Sequence, residues 1–216
     1  MVVRAGRRML GAERSHRLRH QKVNRLVHAR LSTREGSSTD DVPLRGVHNV
    51  ENSMAAAISC LFAGATHDAI AEGIRSFPGV EHRLEFVREI NGVKYYNDSK
   101  ATNVDATEKA IDAFPGGLWI ILGGKDKNSD YGALREKLRR KARRILLIGA
   151  AAEKIAAQLN GIPLVHLGTL DKAVETAARE ASAGEIVLLA PACASFDQFE
   201  NFEHRGRVFK EAVRAL

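Results

Sequence analysis

Beyond Lys100 the sequence alternates short apolar runs with longer amphipathic stretches, and few architectures accept that pattern. The apolar periodicity predicts helices over 104–114, 131–141, 151–159, 170–181 and 202–215. Between them, runs at 118–122, 144–148, 163–166 and 185–190 read as strands of four to six residues. Strands that alternate with helices in this way pair in parallel through right-handed crossovers. Ahead of them, 84–90 and 93–97 read as two strands joined by Asn91-Gly92, the strongest short hairpin signal because both residues tolerate positive φ. The expected fold class is therefore α/β, a Rossmann-like, mostly parallel open sheet with an initial antiparallel β-hairpin, preceded by an α-helical segment.

That helical segment starts where the texture changes, at Val42. Residues 52–65 are Ala-rich with Met54, Ile58, Leu61 and Phe62 at helical spacing. Thr66 is placed to cap a second helix over 67–77, which Pro78-Gly79 ends. Before Val42 the chain is rich in Arg, His and Ser. Residues 1–41 hold ten basic side chains against four acidic ones, whereas the remaining residues hold 23 against 22. The formal charge of +7 thus belongs to the leading segment, and the domain behind it is near neutral, which argues against a nucleic-acid-binding domain. The segment reads either as a disordered lead-in or as a basic helix over 14–31, with Leu18, Val23, Leu26 and Val27 on one side. The sequence has no apolar run long enough to span a bilayer. Two distant cysteines, Cys60 and Cys193, have no metal-like spacing, and a reducing cytoplasm is the expected location.

In open α/β sheets ligands bind beyond the carboxyl ends of the strands. That rule selects the loops 98–103, 123–130, 149–150 and 191–198. The first, Asp98-Ser99-Lys100-Ala101-Thr102-Asn103, joins a strand to a helix start, where free amides and the helix dipole favour an anion. Lys100 adds a mobile charge, Ser99 and Thr102 add hydroxyls, and Asp98 can accept from a ribose hydroxyl; a capping box with solvated charges fits the same residues. In the second, Gly123-Gly124-Lys125-Asp126-Lys127, paired glycines allow close approach and Lys127 can reach back over the strand end, although such a run is also an ordinary turn. It is not a Gly-x4-Gly-Lys-Ser/Thr phosphate loop. In the third, Pro191-Ala192-Cys193-Ala194-Ser195-Phe196-Asp197-Gln198-Phe199, small residues leave amides and the Ser195 hydroxyl available. Cys193 with His204 as base is the alternative thiol chemistry there, against a small buried cysteine. Upstream, Asn49 and Asn52 suit either an adenine edge or a helix N-cap, and His82-Arg83 stands at the hinge before the hairpin.

Together and in order, these segments from Arg45 to Leu216 resemble the Mur ligases, and in particular the branch that adds D-glutamate. Asp98-Ser99-Lys100-Ala101-Thr102-Asn103 and the run from Pro191 to Phe199 carry the resemblance. Ligases adding alanine, diaminopimelate or the terminal dipeptide typically have histidine or tyrosine where Lys100 stands. The resemblance implies an ATP- and Mg²⁺-dependent reaction in which a carboxylate of UDP-N-acetylmuramoyl-L-alanine becomes an acyl phosphate and the amine of D-glutamate attacks it. By matching position, Asn49 and Asn52 would face the adenine, His82 and Asp98 the nucleoside, and Arg83 the transferred phosphate. Lys100 would join Arg83 as a catalytic group, with Thr102, Lys127, Ser195 and Phe202 holding D-glutamate.

The resemblance also implies parts that this sequence lacks before Val42: a uridine-nucleotide domain, a phosphate loop, and the lysine, histidine and glutamate around the metal. The expected organisation is a non-native or disordered 1–41, a helical remnant of the central ATPase domain over 42–79, and the C-terminal, D-glutamate-binding domain over 80–216. The expected protein is a cytoplasmic monomer that is inactive alone, with no metal ligands of its own. A non-catalytic remnant that binds D-glutamate, nucleotide or a partner stays open as an alternative. So does a basic-armed protein that associates with nucleic acid or membrane.

Overall fold

The computed structural model describes residues 44–216, so the basic segment 1–41 lies outside the described residues. Two compact units are present. Val50–Phe77 form one, and Leu44–Asn49 with Pro78–Leu216 form the other.

The smaller unit is helical. Helix α1 (Val47–Phe62) begins earlier than its Ala-rich centre suggests, and α2 (His67–Ser76) follows a short turn. The Thr66 hydroxyl accepts from the Ala69 amide at 3.3 Å, the expected N-cap. Neither Asn49 nor Asn52 caps a helix, because both lie inside α1. Among the described residues no helix is long and apolar enough to cross a membrane.

The larger unit is a six-stranded sheet in the order β1-β2-β6-β3-β4-β5. Strands β1 (Glu85–Ile90) and β2 (Val93–Asn97) pair antiparallel. Their turn residues Asn91 and Gly92 have φ of 50° and 78°, the left-handed pair that a two-residue hairpin requires. All remaining pairings, among β2, β6 (Ile186–Leu189), β3 (Leu118–Gly123), β4 (Ala142–Ile148) and β5 (Leu164–Gly168), are parallel. The central strand β3 is buried at all six positions, which explains its unbroken apolar run.

Alternate side chains of β3 feed two cores. Ile120 and Leu122 pack with Ile111 of α3 (Val104–Asp112), Leu138 of α4 (Arg135–Lys141) and Ile155 of α5 (Ala152–Gln158). Trp119 and Ile121 pack on the other face with Val174 of α6 (Leu170–Glu180) and Phe209 of α7 (Phe202–Arg214). Each fully buried aliphatic side chain of this kind stabilises by roughly 1.5–3 kcal/mol. The stretch expected as one helix over 131–141 is instead a 3₁₀ turn, Tyr131–Leu134, followed by α4. The Asp130 carboxylate accepts from the Gly132 amide at 2.9 Å and tightens that first turn.

This strand order positions the site. Strand β6, last in the chain, lies between β2 and β3, so the loops after β2, β6, β3 and β4 stand side by side along one edge. That edge is the switch point where such sheets bind ligands.

Candidate functional site

The four strand-end loops are tied together by their own backbones. Lys125 and Ala194 form an isolated bridge, with Lys125 N to Ala194 O at 2.8 Å and Ala194 N to Lys125 O at 3.2 Å. Ala192 N donates to Ala101 O at 2.9 Å, which joins the third loop to the first. The Asp197 carboxylate accepts from Ala150 N at 2.9 Å, which brings in the loop after β4. Lys127 and Ser195 therefore stand two residues and one residue away from a single backbone bridge.

Among the described residues five non-glycine positions adopt positive φ, and four of them flank this edge: His82 (64°), Leu84 (44°), Asn128 (61°) and Ala192 (59°). Strain of this kind costs about 1–3 kcal/mol per residue and persists where surrounding contacts over-determine the backbone. His82 and Leu84 bracket Arg83, and Asn128 follows Lys127.

The expected site residues fall into distinct surroundings. Arg83, Lys100 and Lys127 are exposed and make no ion pair among the described residues. Cations elsewhere on the domain do find partners, such as Lys154 on Asp126 at 2.7 Å and Lys137 on Glu108 at 3.0 Å. Lys100 Nζ instead sits 3.9 Å from the centre of the Phe202 ring. A cation over an aromatic face is worth roughly 0.5–2 kcal/mol, so Phe202 holds the ammonium in place. Thr102 is half-buried, and its amide donates to Lys100 O at 2.8 Å. Ser195 is 2% exposed, and its carbonyl accepts from Gln198 N at 3.2 Å and Phe199 N at 2.9 Å, which turns the loop behind its hydroxyl.

Asp98 is 8% exposed, and burial pushes its carboxyl up to about 7 against the opposing pull of the Leu84 backbone and the Arg83 charge. His82 differs from expectation. Its ring is buried and its Nδ1 lies 2.9 Å from the Asn97 amide nitrogen, so little of it can meet a nucleoside. Burial lowers its pKa despite the opposing pull of Glu81 and Glu85. Its carbonyl, however, accepts from Lys100 N at 3.2 Å. Asn49 is half-buried with its side-chain amide on Arg45 O at 2.7 Å, and Asn52 is exposed in the other unit.

A further set of residues holds the loops. Asn97, fully buried, accepts from Ser99 N at 3.1 Å and donates to Glu85 at 3.0 Å. Asp126 accepts from Lys154 at 2.7 Å and from the Tyr131 hydroxyl at 2.7 Å. The Lys154 bond, opposed by burial and helped by Tyr131 and Ser129, holds the Asp126 carboxyl well below the ordinary range. Tyr131 also lies 3.0 Å from Cys193 Sγ. Burial raises the Cys193 thiol to about 11, and His204 is engaged elsewhere, with Nδ1 accepting from Glu200 N at 3.4 Å. The described contacts of Cys193 and His204 thus lend the thiol–histidine alternative no support. One sequence signal was available for His82: Gly206 lies inside α7, and a Cβ there would meet His82 Nδ1 at 2.2 Å. A mid-helix glycine marks a close approach.

Glu81, His82 and Glu85 place ligand atoms within 4.8 Å of one another. The Lys210 ammonium already occupies that position, 2.5 Å from Glu81 and 2.9 Å from Glu85. The donor set does not fit a Mg²⁺ site.

Residues 82–193 match the model of the Mur ligase glutamate ligase domain, which is over half of the chain. The chain belongs to the Mur ligase family. A UDP-N-acetylmuramoylalanine–D-glutamate ligase from Solibacter usitatus is 64% identical over 177 residues, covering 82% of this chain and 40% of the relative. One of the same name from Acidobacterium capsulatum is 58% identical, over 81% of this chain and 38% of the relative. The chain thus spans about two-fifths of the length of these relatives. Among solved structures, a UDP-N-acetylmuramate-alanine ligase from Thermotoga maritima aligns with a TM-score of 0.60 at 16% identity, over 80% of this chain and 39% of that one. At that identity the match establishes the Mur ligase domain fold, with its leading hairpin and parallel strands.

Proposed function

We propose that this Mur ligase domain supplies the D-glutamate site of an enzyme that joins D-glutamate to UDP-N-acetylmuramoyl-L-alanine in peptidoglycan precursor synthesis. The observation that carries the reading is that loops bearing the exposed cations Lys100 and Lys127 and the Ser195 hydroxyl are tied together at one sheet edge through Lys125, Ala194 and Ala101. Lys127 and Lys100 meet the carboxylates of D-glutamate, and Ser195 and Thr102 donate to them. Phe202 orients the Lys100 ammonium. Arg83, flanked by two strained residues, follows the transferred phosphoryl group as the domain moves, and Asp98 accepts from the ribose. Asn49 and Asn52 face the adenine, while His82 contributes through its carbonyl, which holds the Lys100 backbone.

ATP, when bound, provides the phosphoryl group that activates the uridine substrate's carboxylate as an acyl phosphate. The D-glutamate amine then attacks that carbonyl, phosphate leaves, and the amine gives up a proton as the amide forms. The domain contributes mainly positioning, which converts a bimolecular attack into a nearly unimolecular one. The 216 residues contain no Gly-x4-Gly-Lys-Ser/Thr loop. Residues 42–79 fit a helical portion of the central domain and 80–216 the C-terminal domain. Alone, the chain binds D-glutamate without turning over ATP. Two free thiols, Cys60 and Cys193, are compatible with a cytoplasmic location.

The test is a titration of the 216-residue chain with D-glutamate, followed by amide chemical shifts, alongside K127A and S195A. Losing a charge-assisted hydrogen bond weakens binding by about 10- to 100-fold. Absence of saturable binding, wild-type affinity in both variants, or phosphate release from ATP by the chain alone would each overturn the reading.

A further inference from the structure

The largest fully buried side chain in the domain belongs to Arg205, at the end of the first turn of α7. Its guanidinium is 0% exposed and faces no carboxylate within ion-pair distance among the described residues. Such a group is costly to bury unless its donors are satisfied, and here they all turn to the strand-end loops. Nε donates to Ser99 Oγ at 3.0 Å and Nη2 to Ser99 O at 2.9 Å. Nη1 and Nη2 both donate to Cys193 O at 3.2 Å. The second loop lies against the same fork, since a Cβ on Gly124 would stand 3.3 Å from Nη1. One planar cation thus touches the loops after β2, β3 and β6. It also closes a circuit through its own helix, because Ser99 Oγ donates to Phe202 O at 2.8 Å, and Phe202 is the ring under Lys100.

We infer that Arg205 is a positioning residue of the D-glutamate site: it fixes the loops of Lys100, Lys127 and Ser195 relative to one another and lends the pocket a buried positive charge, only partly offset, for an anionic amino acid. The inference rests on the proposed D-glutamate reading. The geometry separates two contributions. The fork sets the spacing of the loops, because Lys100 follows Ser99 directly and Ser195 stands two residues after Cys193. The charge acts through a low-dielectric layer that screens poorly. Burial lowers the guanidinium pKa to about 10, which leaves it charged at neutral pH. Asp197 is the acidic group that offsets part of its field, and its carboxylate is engaged by Ala150 N. The nearest alternative, a purely structural arginine, would be expected to serve its carbonyls equally well with a counter-ion beside it.

The experiment uses the 216-residue chain as wild type, R205K, R205Q and S99A, at a temperature where unfolding curves show each to be folded. D-Glutamate and D-glutamine are titrated into each. S99A removes one anchor and keeps the charge; R205K keeps the charge and loses the fork; R205Q loses both. All three are expected to weaken D-glutamate binding by about tenfold or more, with amide shifts at Lys100, Gly124 and Ser195. The preference for D-glutamate over D-glutamine is expected to narrow in R205Q and to persist in R205K and S99A. If the wild-type chain binds no D-glutamate, the site reading itself fails and takes this inference with it. If the wild type binds and folded R205K, R205Q and S99A bind equally well with an unchanged preference, only the inference fails. Failure of all three variants to fold would make Arg205 a folding residue alone and would likewise overturn it.

Discussion

Replacing Gly124 by Ala tests how tightly the second and third loops are locked. Gly124 has φ of 135°, outside the region that L residues adopt readily. An added Cβ would stand 2.3 Å from Ala194 O and 3.1 Å from Cys193 Cβ. That carbonyl cannot simply retreat, because it accepts from Lys125 N at 2.8 Å in the bridge between the loops. The substitution therefore carries left-handed strain of about 1–2 kcal/mol and the loss of a bridge hydrogen bond worth about 0.5–1.5 kcal/mol. Stiffening of the unfolded chain returns about 0.4–1 kcal/mol. With the residual crowding against Cys193, a net loss of about 3 kcal/mol follows.

Gly161 is the control. Its φ is 83° and an added Cβ would meet nothing within 4 Å, so Gly161→Ala carries strain without the clash and costs about 1 kcal/mol or less. The assay is thermal unfolding followed by fluorescence of Trp119, the only tryptophan, which lies 5% exposed in β3. Because that strand belongs to the larger unit, the signal reports on the domain in question. G124A is expected to melt about 6–12 °C lower than wild type and G161A only a few degrees lower. Equal losses in the two variants would mean that the bridge yields freely, and the argument for a pre-locked site would fail with it.

Two more predictions concern ionisation. The folded-state pKa of Asp98 is raised to about 7 by burial, so the folded domain binds an extra proton between about pH 4 and 7, and stability falls as pH rises through that window by at most on the order of 4 kcal/mol. D98N should flatten the difference between unfolding curves at pH 5 and pH 8; an unchanged slope would remove Asp98 as its source. Cys193 is buried with its thiol raised to about 11, whereas Cys60 is exposed, so iodoacetamide at pH 8 should label one thiol per native chain and none in C60S. Rapid labelling of native C60S would restore Cys193 as a reactive group.

The elements that sequence revealed are those fixed by local chemistry. Asn91-Gly92 dictates its hairpin, and the apolar run of β3 reads as buried on both faces. Thr66, Asn103 and Asn201 each cap the helix behind them through a side-chain oxygen. The errors arose where local cues compete. The Asn49 to Asn52 stretch resembles a cap cluster, yet α1 already runs through it. The loops of the site were legible because strand ends and small polar runs mark them. Their supports were not. Arg205 is separated from Ser99 by 106 positions, and Tyr131 from Cys193 by 62. Each looks ordinary in its own segment, and no periodicity encodes such a pairing. Gly206, which betrays the His82 contact, was the exception that sequence could have offered.

Topology explains why a site drawn from distant segments is nonetheless well defined. Strand β6 enters the sheet last in the chain but occupies a central position, hydrogen-bonded to both β2 and β3. Its parallel registers, Asn97 opposite Leu189 and Ile121 opposite Leu189, bring the ends of β2 and β3 to the level where 191–195 begins. The loops are therefore aligned by the same ladder that stabilises the core, and the bridges at Ala101, Lys125 and Ala150 only finish the alignment. Under the proposed D-glutamate reading, the ligand would meet groups whose ordering cost was met when the sheet formed. The tips of Arg83, Lys100 and Lys127 stay exposed, with Lys100 steadied only by the Phe202 ring. The division suits the proposed reaction, in which spacing must be rigid to orient an amine for attack whereas the cations need enough reach to close over carboxylates and a phosphoryl group.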